Sequence, residues 1–255
     1  MQKSGYVIGA ALAIVLFATS PAAAQTTTFD LTGAGSNTVL AGVYTSPYTA
    51  TVGGIANVPV ICDDFSDESY VPEDWTAYVA SLSSISSGTT HAMWTGATVT
   101  VDGPTTTLTQ AQAYDVAAIL SIGILGQGNT GSVTQQDLSY ALWGLFAPGP
   151  AFSQLNGLSN QSAAEADLRA AVTDVTGNMV GTQTLSSYLS GYDVTIYSYD
   201  PSNGVWNCGG CSGPPQEFIT ATAMAEPPAP ALLGVDLLGL VGLVLVARRC
   251  GRLAR

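Results

Sequence analysis

Thr109-Gln110-Ala111-Gln112-Ala113-Tyr114-Asp115-Val116-Ala117-Ala118-Ile119-Leu120 is the stretch at which the chain changes its apolar period. From here apolar residues recur at Ala113, Val116, Ala117, Leu120 and Ile124, the spacing of one helix face. Thr109 and Gln112 form the two halves of a capping box, which satisfies otherwise orphaned N–H groups at a helix start. A helix is therefore predicted to begin behind Thr109. A second starts at Thr134, with Leu138, Ala141, Leu142 and Leu145 on one face, and stops before Pro148-Gly149-Pro150. A third starts at Ser162 with Glu165 as its box partner, and turns Ala164, Leu168, Ala171, Val172 and Val175 inward.

On either side of this helical centre the pattern is that of strands. Val39 to Tyr44 and Tyr48 to Val52 flank Ser46-Pro47 and read as a hairpin. Val58 to Cys62, Trp75 to Leu82 and Ala97 to Val101 read as further strands, as do Asp193 to Tyr199 and Glu217 to Thr222. The order strands, helices, strands predicts an α+β fold. Antiparallel β-strands lie N- and C-terminal to a central group of three helices, and a C-terminal transmembrane helix is added to them. No internal repeat divides the chain.

The two ends carry targeting patterns. Lys3, the apolar run Tyr6 to Ala18 and Ala22-Ala23-Ala24 before Gln25 make a secretory signal peptide over 1–24, to be removed by signal peptidase. Residues 25–222 then form the mature extracellular domain, and 223–255 a tail. In the tail, Glu226-Pro227-Pro228 breaks the chain, residues 231–247 are apolar, and Arg248, Arg249, Arg252 and Arg255 close it. Seventeen residues rise roughly 25 Å at 1.5 Å each, enough for a short membrane span. The arginines place the far end in the cytoplasm. Asp236 is the one acid within the run.

This three-part tail resembles the PEP-CTERM sorting signal read by exosortases on exported bacterial proteins. Glu226 and Pro227 match its Glu-Pro, with Ala225 in place of the first proline and Pro228 added; Arg248 and Arg249 match its basic cluster. The resemblance implies an exosortase-type partner, passage through the inner membrane, temporary anchoring, and release to the cell surface or beyond. An ordinary tail anchor is the alternative.

Charge excludes several partner classes. Between Gln25 and Ala225 the chain holds one basic residue, Arg169, against sixteen acidic ones, a net charge of −15. Such a surface repels nucleic acid and anionic headgroups and suits divalent cations, a cation-bridged polysaccharide layer, or simple solubility. The run Asp63, Asp64, Asp67, Glu68, Glu73, Asp74 is a candidate cation site, above all Asp63, Asp64, Asp67 and Glu68, with calcium the ion such oxygens suit. Its spacing is not that of an EF-hand, and a solvated acidic loop is the alternative. No cofactor is otherwise expected.

Cys208-Gly209-Gly210-Cys211 lacks a second C-x-x-C pair or a redox context, and reads as a short-loop disulfide of an exported protein. His91 is the only histidine, no G-x-S-x-G surrounds a serine, and no glycine-rich phosphate loop opens a helix. An enzyme is not expected.

Val60-Ile61-Cys62-Asp63-Asp64-Phe65 and the later Leu138-Ser139-Tyr140-Ala141-Leu142-Trp143 carry a second, more distant resemblance. They are similar to the thioester domains of bacterial surface adhesins, in which a Cys thiol is joined to a Gln side chain of a Thr-Gln-x-Ala-Ile-Trp motif. The Cys carries over to Cys62. The Gln carries over to the position four before Trp143, which is Ser139, and a serine has no acyl carbon. The expectation is therefore that no thioester forms, with Cys62 a buried strand thiol or a disulfide partner and Trp143 a core aromatic.

Together these features predict an exported, non-catalytic cell-surface or extracellular-matrix protein, sorted by its tail and associated with biofilm exopolysaccharide. The alternative is a secreted carbohydrate-active enzyme working with paired carboxylates such as Asp63 and Glu68. If an exosortase reads Glu226-Pro227, the mature protein lacks everything from about Pro228 onward. Mass spectrometry of its C-terminus in native cells checks this, and peptides ending in Arg255 from fully exported protein would refute it.

Overall fold

The computed structural model describes residues 25–34, 39–66, 69–88, 91–100, 105–128, 131–202, 206–208 and 213–224. β1 (Gln25–Gly33) comes first. β2 (Val39–Leu40) and β3 (Val43–Tyr44) form a small ladder around Ala41-Gly42, both at positive φ. β4 (Tyr48–Val52) and β5 (Ile55–Cys62) are joined through Gly53-Gly54, again at positive φ, where glycine meets no Cβ penalty. β6 (Glu73–Ser81) runs into the short helix α1 (Leu82–Ser86), whose first turn Ser81 caps. β7 (Gly96–Val99) pairs with β8 (Thr106–Thr109).

Four helices follow: α2 (Gln110–Gly126), α3 (Val133–Phe146), α4 (Pro148–Gln154) and α5 (Asn160–Gly177). The ladder of β9 (Met179–Val180) with β10 (Gln183–Thr184) and the short helix α6 (Leu185–Leu189) lead to β11 (Tyr192–Tyr199), β12 (Trp206–Asn207) and β13 (Phe218–Ala223).

The strands form one sheet in the order β1-β4-β5-β13-β11-β6, with β12 on β6, and β6 pairs back onto β1. This closes a six-stranded antiparallel barrel and leaves those six strands without a free edge. The predicted arrangement, strands flanking a central group of three helices, is corrected by it. Strands from both halves of the chain interleave: β13 lies between β5 and β11, and β1 is bonded to β4 on one side and β6 on the other. Apolar periodicity reports which face of a segment is buried, not which segment lies beside it. β1 itself was absent from the prediction, because its run of threonines hides the alternation of Phe29 and Leu31. The predicted hairpin across Ser46-Pro47 is replaced as well: β4 pairs with β1 and β5.

The helices stand nearer to expectation. Thr109 caps α2 through the full box with Gln112. α3 starts from Ser132, two residues before Thr134. α5 starts at Asn160 and buries Ala164, Leu168, Ala171, Val172 and Val175. α3 ends at Phe146, before Pro148 as expected, and Pro148 then opens α4, since a proline fits the first turn of a helix. Among the described residues no helix is long and apolar enough to cross a membrane, and the predicted span 231–247 lies outside them.

Strand alternation builds two cores. One set of side chains fills the barrel: Phe29, Leu31, Tyr48, Ala50, Val52, Val60, Cys62, Trp75, Ala77, Tyr197 and Phe218. The alternate set, including Ile61, Ala80, Val194, Ile196 and Ile219, faces outward onto α1, α2, α3 and α5. A third, smaller cluster joins Tyr140, Trp143, Ala151, Leu155 and Ala164, with Phe65 against it. Phe29 is the hub of the barrel: its ring lies 4.5 Å from Trp75, 5.3 Å from Phe218 and 5.4 Å from Tyr197. Phe29→Ala removes the centre of this stack and leaves a cavity, so unfolding in urea should show a loss of about 3–5 kcal/mol. A loss under about 1 kcal/mol would mean the barrel is not packed around that ring.

Candidate functional site

β5 ends at Cys62 and β13 begins at Phe218, paired in register with it. Beyond that pair the two chains run together for two more residues. Asp63 N–H donates to Glu217 O at 3.4 Å, and Gln216 Nε2 donates to Asp64 O at 2.8 Å. Because strand side chains alternate, this short stretch presents different chemistry on its two sides.

On one side stand Cys62 and Gln216. The Cys62 thiol donates to Gln216 Oε1 at 3.0 Å and lies 3.0 Å from Asp64 O. The Ser69 hydroxyl also donates to Gln216 Oε1. Trp143 of α3 donates from Nε1 to Cys62 O at 2.9 Å, and its ring packs on Phe65 and Tyr140. The serine of Ser46 accepts from Cys62 N–H at 3.3 Å. A cleft of about 850 Å³ opens over the pair, lined by Tyr44, Tyr48, Phe65, Tyr70 and Trp143, with Asp64 the acid of its wall among the described residues. Burial, and then the neighbouring Asp64 and Asp63, push the Cys62 thiol well above the usual range. The thiol is therefore held protonated and resists oxidation.

The other side carries Asp63 and Glu217, both sealed from solvent. Glu217 accepts from the Tyr114 hydroxyl of α2, from the Ser198 hydroxyl of β11, and from Met93 N–H at 2.7 Å. Among the described residues neither Asp63 oxygen meets an N–H or hydroxyl donor. Burial and then Glu217 push the Asp63 carboxyl well above its ordinary value. Burial also raises Glu217, against the donors it accepts. With three donors on Glu217 and, among the described residues, none on Asp63, the proton resides on Asp63.

The predicted site residues fare differently. Asp63 and Asp64 are buried at the end of β5 and do not form a solvated acidic loop; Asp64 Oδ1 accepts from Ser66 N–H at 2.7 Å. Asp67 and Glu68 lie outside the described residues, and no group of three or more His, Cys, Asp or Glu gathers among the described ones as a metal would need. Cys208 is disulfide-bonded, while Cys211 lies outside the described residues; Cys62 is free and buried. Glu226, Pro227, Pro228, Arg248 and Arg249 also lie outside them.

Ser139 does not stand beside Cys62 as a partner, but a glutamine from elsewhere in the chain does. Ser139 is a buried helix residue whose hydroxyl bonds back to Gln135 O at 2.8 Å, and Gln135 ties down the start of α3. The glutamine beside Cys62 is Gln216, 154 residues along the chain. Nothing local marks it, apart from its place between Pro214-Pro215 and the strand Phe218–Ala223.

No family model matches the chain, and neither does any curated protein. Among solved structures, it is similar to the N-terminal domain of the Streptococcus pyogenes pilus tip adhesin Cpa. The identity is 12%, over 79% of this chain and 95% of that one, with a TM-score of 0.36.

The buried acids set the sign of the pH dependence. Asp63 and Glu217 are raised, and burial lifts Asp115 to about 6. Tyr114 from α2, Ser198 from β11 and the Met93 amide bond to Glu217, and Asp64 lies close enough to raise Asp63 further; none of these groups is cationic. The folded chain thus keeps protons that the unfolded chain releases above about pH 4. The stability these acids supply is complete below that pH and falls as pH rises through the folded values. Urea midpoints should drop between about pH 4 and about pH 7, and Asp63→Asn should flatten the decline. A midpoint that climbs over that window would contradict this.

Proposed function

We propose that this is an exported surface protein whose barrel holds Cys62 and Gln216 ready to form an internal thioester, an acyl donor for covalent attachment. The contact between the Cys62 thiol and the Gln216 carbonyl oxygen, at the floor of an open aromatic cleft, carries the reading. The carbonyl carbon is about 1.2 Å from that oxygen, so it is near the sulfur too. The signal-peptide pattern, the sorting-like tail, the acidic surface and the disulfide at Cys208 support an oxidising, extracellular setting.

The chemistry balances without a cofactor. Sulfur adds to Cδ of Gln216, the Cδ–Nε2 bond breaks, and the amide nitrogen leaves as ammonia with the thiol's proton. That proton is available because the site keeps the thiol neutral. A primary amine or hydroxyl entering the cleft then attacks the thioester carbonyl. Cys62 regains its thiol, and Gln216 Cδ becomes an amide or ester to the partner. Each molecule reacts once, so this is a single-use donor and not a turnover catalyst. Sorting to the outer surface and association with exopolysaccharide or another matrix polymer belong to the same reading: hydroxyls and amines abound there, and the aromatic wall suits a sugar face.

The Cys62 and Gln216 peptides should be recovered joined and lighter by one ammonia, a loss separate from any cyclisation of an N-terminal Gln25, and Cys62 should be silent to thiol reagents after denaturation. Methylamine should restore a free thiol and leave a methylamide on Gln216. Cys62→Ala and Gln216→Ala should each show the full mass. An intact mass without the loss, together with a reactive Cys62 thiol in the denatured protein, would sink the proposal.

A further inference from the structure

Ser69 lies on the loop between β5 and β6, and its hydroxyl donates to the same Gln216 oxygen that faces the Cys62 thiol. The loop is held at both ends. Ser66 N–H is bound by Asp64 Oδ1 at 2.7 Å, and Tyr70 N–H by Glu73 Oε2 at 3.1 Å. Glu73 is buried, and its other oxygen accepts from Trp206 Nε1 at 2.8 Å. The residue after Ser69 is therefore tied through a buried carboxylate to β6 and β12, and Ser69 is placed by the barrel itself.

Resting on the acyl-donor reading above, we infer that Ser69 is the oxyanion donor of this site. When sulfur or an incoming amine adds to Gln216 Cδ, the carbonyl oxygen takes up negative charge. That oxygen sits in a buried place and needs a donor aimed at it beforehand. The Ser69 hydroxyl is that donor in both steps, thioester formation and its aminolysis. The Cys62 S–H bonds to this oxygen only before the reaction, because its proton departs with ammonia. Gln216 Nε2, bonded to Asp64 O, is on the leaving side and gives the oxygen nothing. Once the thioester has formed, the Ser69 hydroxyl is still aimed at the carbonyl oxygen.

The test compares wild type, Ser69→Ala and Ser69→Thr, each checked for folding by near-ultraviolet circular dichroism. Two quantities are read: the rate of methylamide formation on Gln216 with methylamine, and the infrared band of the thioester carbonyl. Ser69→Ala should slow aminolysis on the order of 10²–10³-fold and move the band to higher frequency, while Ser69→Thr restores both. A folded Ser69→Ala protein that never loses ammonia, with Ser69→Thr rescuing the loss, supports the assignment as well. Unchanged rate and band in Ser69→Ala would overturn the assignment while leaving the acyl donor standing. Loss of ammonia at Gln216 in wild type, with a free Cys62 thiol and an ester joining Gln216 to Ser69, would overturn it differently, by showing Ser69 as acceptor of the acyl group. No ammonia loss in wild type removes the acyl donor and the assignment together.

Discussion

The antiparallel pairing of β5 with β13 is the constraint on which the rest of the structure depends. It consists of two register pairs, Cys62 with Phe218 and Ile61 with Ile219, and continues for two residues past the strands. That continuation places Cys62 beside Gln216 on the cleft side and Asp63 beside Glu217 on the helix side. A slip of one residue in β13 would turn Gln216 to the helix side and Glu217 into the barrel, breaking both pairs. The pairing is held against such a slip by bulk. Phe218 fills the barrel against Phe29 and Trp75, while Ile219 and Ile61 fill the layer under the helices.

Polar groups at this junction are buried because the fold supplies their partners. Glu217 takes donors from a helix, a strand and a loop, and Glu73 takes donors from a loop and from β12. Each of these contacts joins segments distant in the chain, so the carboxylates act as pins between layers. Asp63 is the exception: with no donor among the described residues it stays protonated, and the pair is tolerated only because one charge is absent. The same low-dielectric setting that raises Asp63 raises the Cys62 thiol and protects it from oxidation in a protein whose Cys208 is already disulfide-bonded.

Among the described residues the buried carboxyls divide between two sides of the sheet. A glycosidase needs two carboxyls flanking one bond in a cleft. Here the paired carboxyls, Asp63 and Glu217, face the helix layer, while Asp64 is the carboxyl that lines the aromatic cleft among the described residues. The cleft and the acid pair lie back to back across two strands. Proximity along the sequence, Cys62-Asp63-Asp64, suggested one acidic site; the alternation of the strand divides it into two unlike ones.

Local features were legible from the residues alone: the capping box of α2, the inward face of α5, the strands carrying Val60 to Cys62 and Trp75, and Cys62 as a buried thiol. All are set by interactions within a few residues, or by a periodicity that reports burial. The closed barrel and the Cys62–Gln216 pair were not legible, for one shared reason. Both arise from pairings between segments far apart in the chain, whose energy comes from matched register and from side chains such as Phe29 and Phe218 meeting in one core. The sequence by itself determined the three long helices α2, α3 and α5 and their inward faces. Tertiary structure alone decided which strands are neighbours, and so which glutamine faces the cysteine, because a contact across 154 residues leaves no local trace.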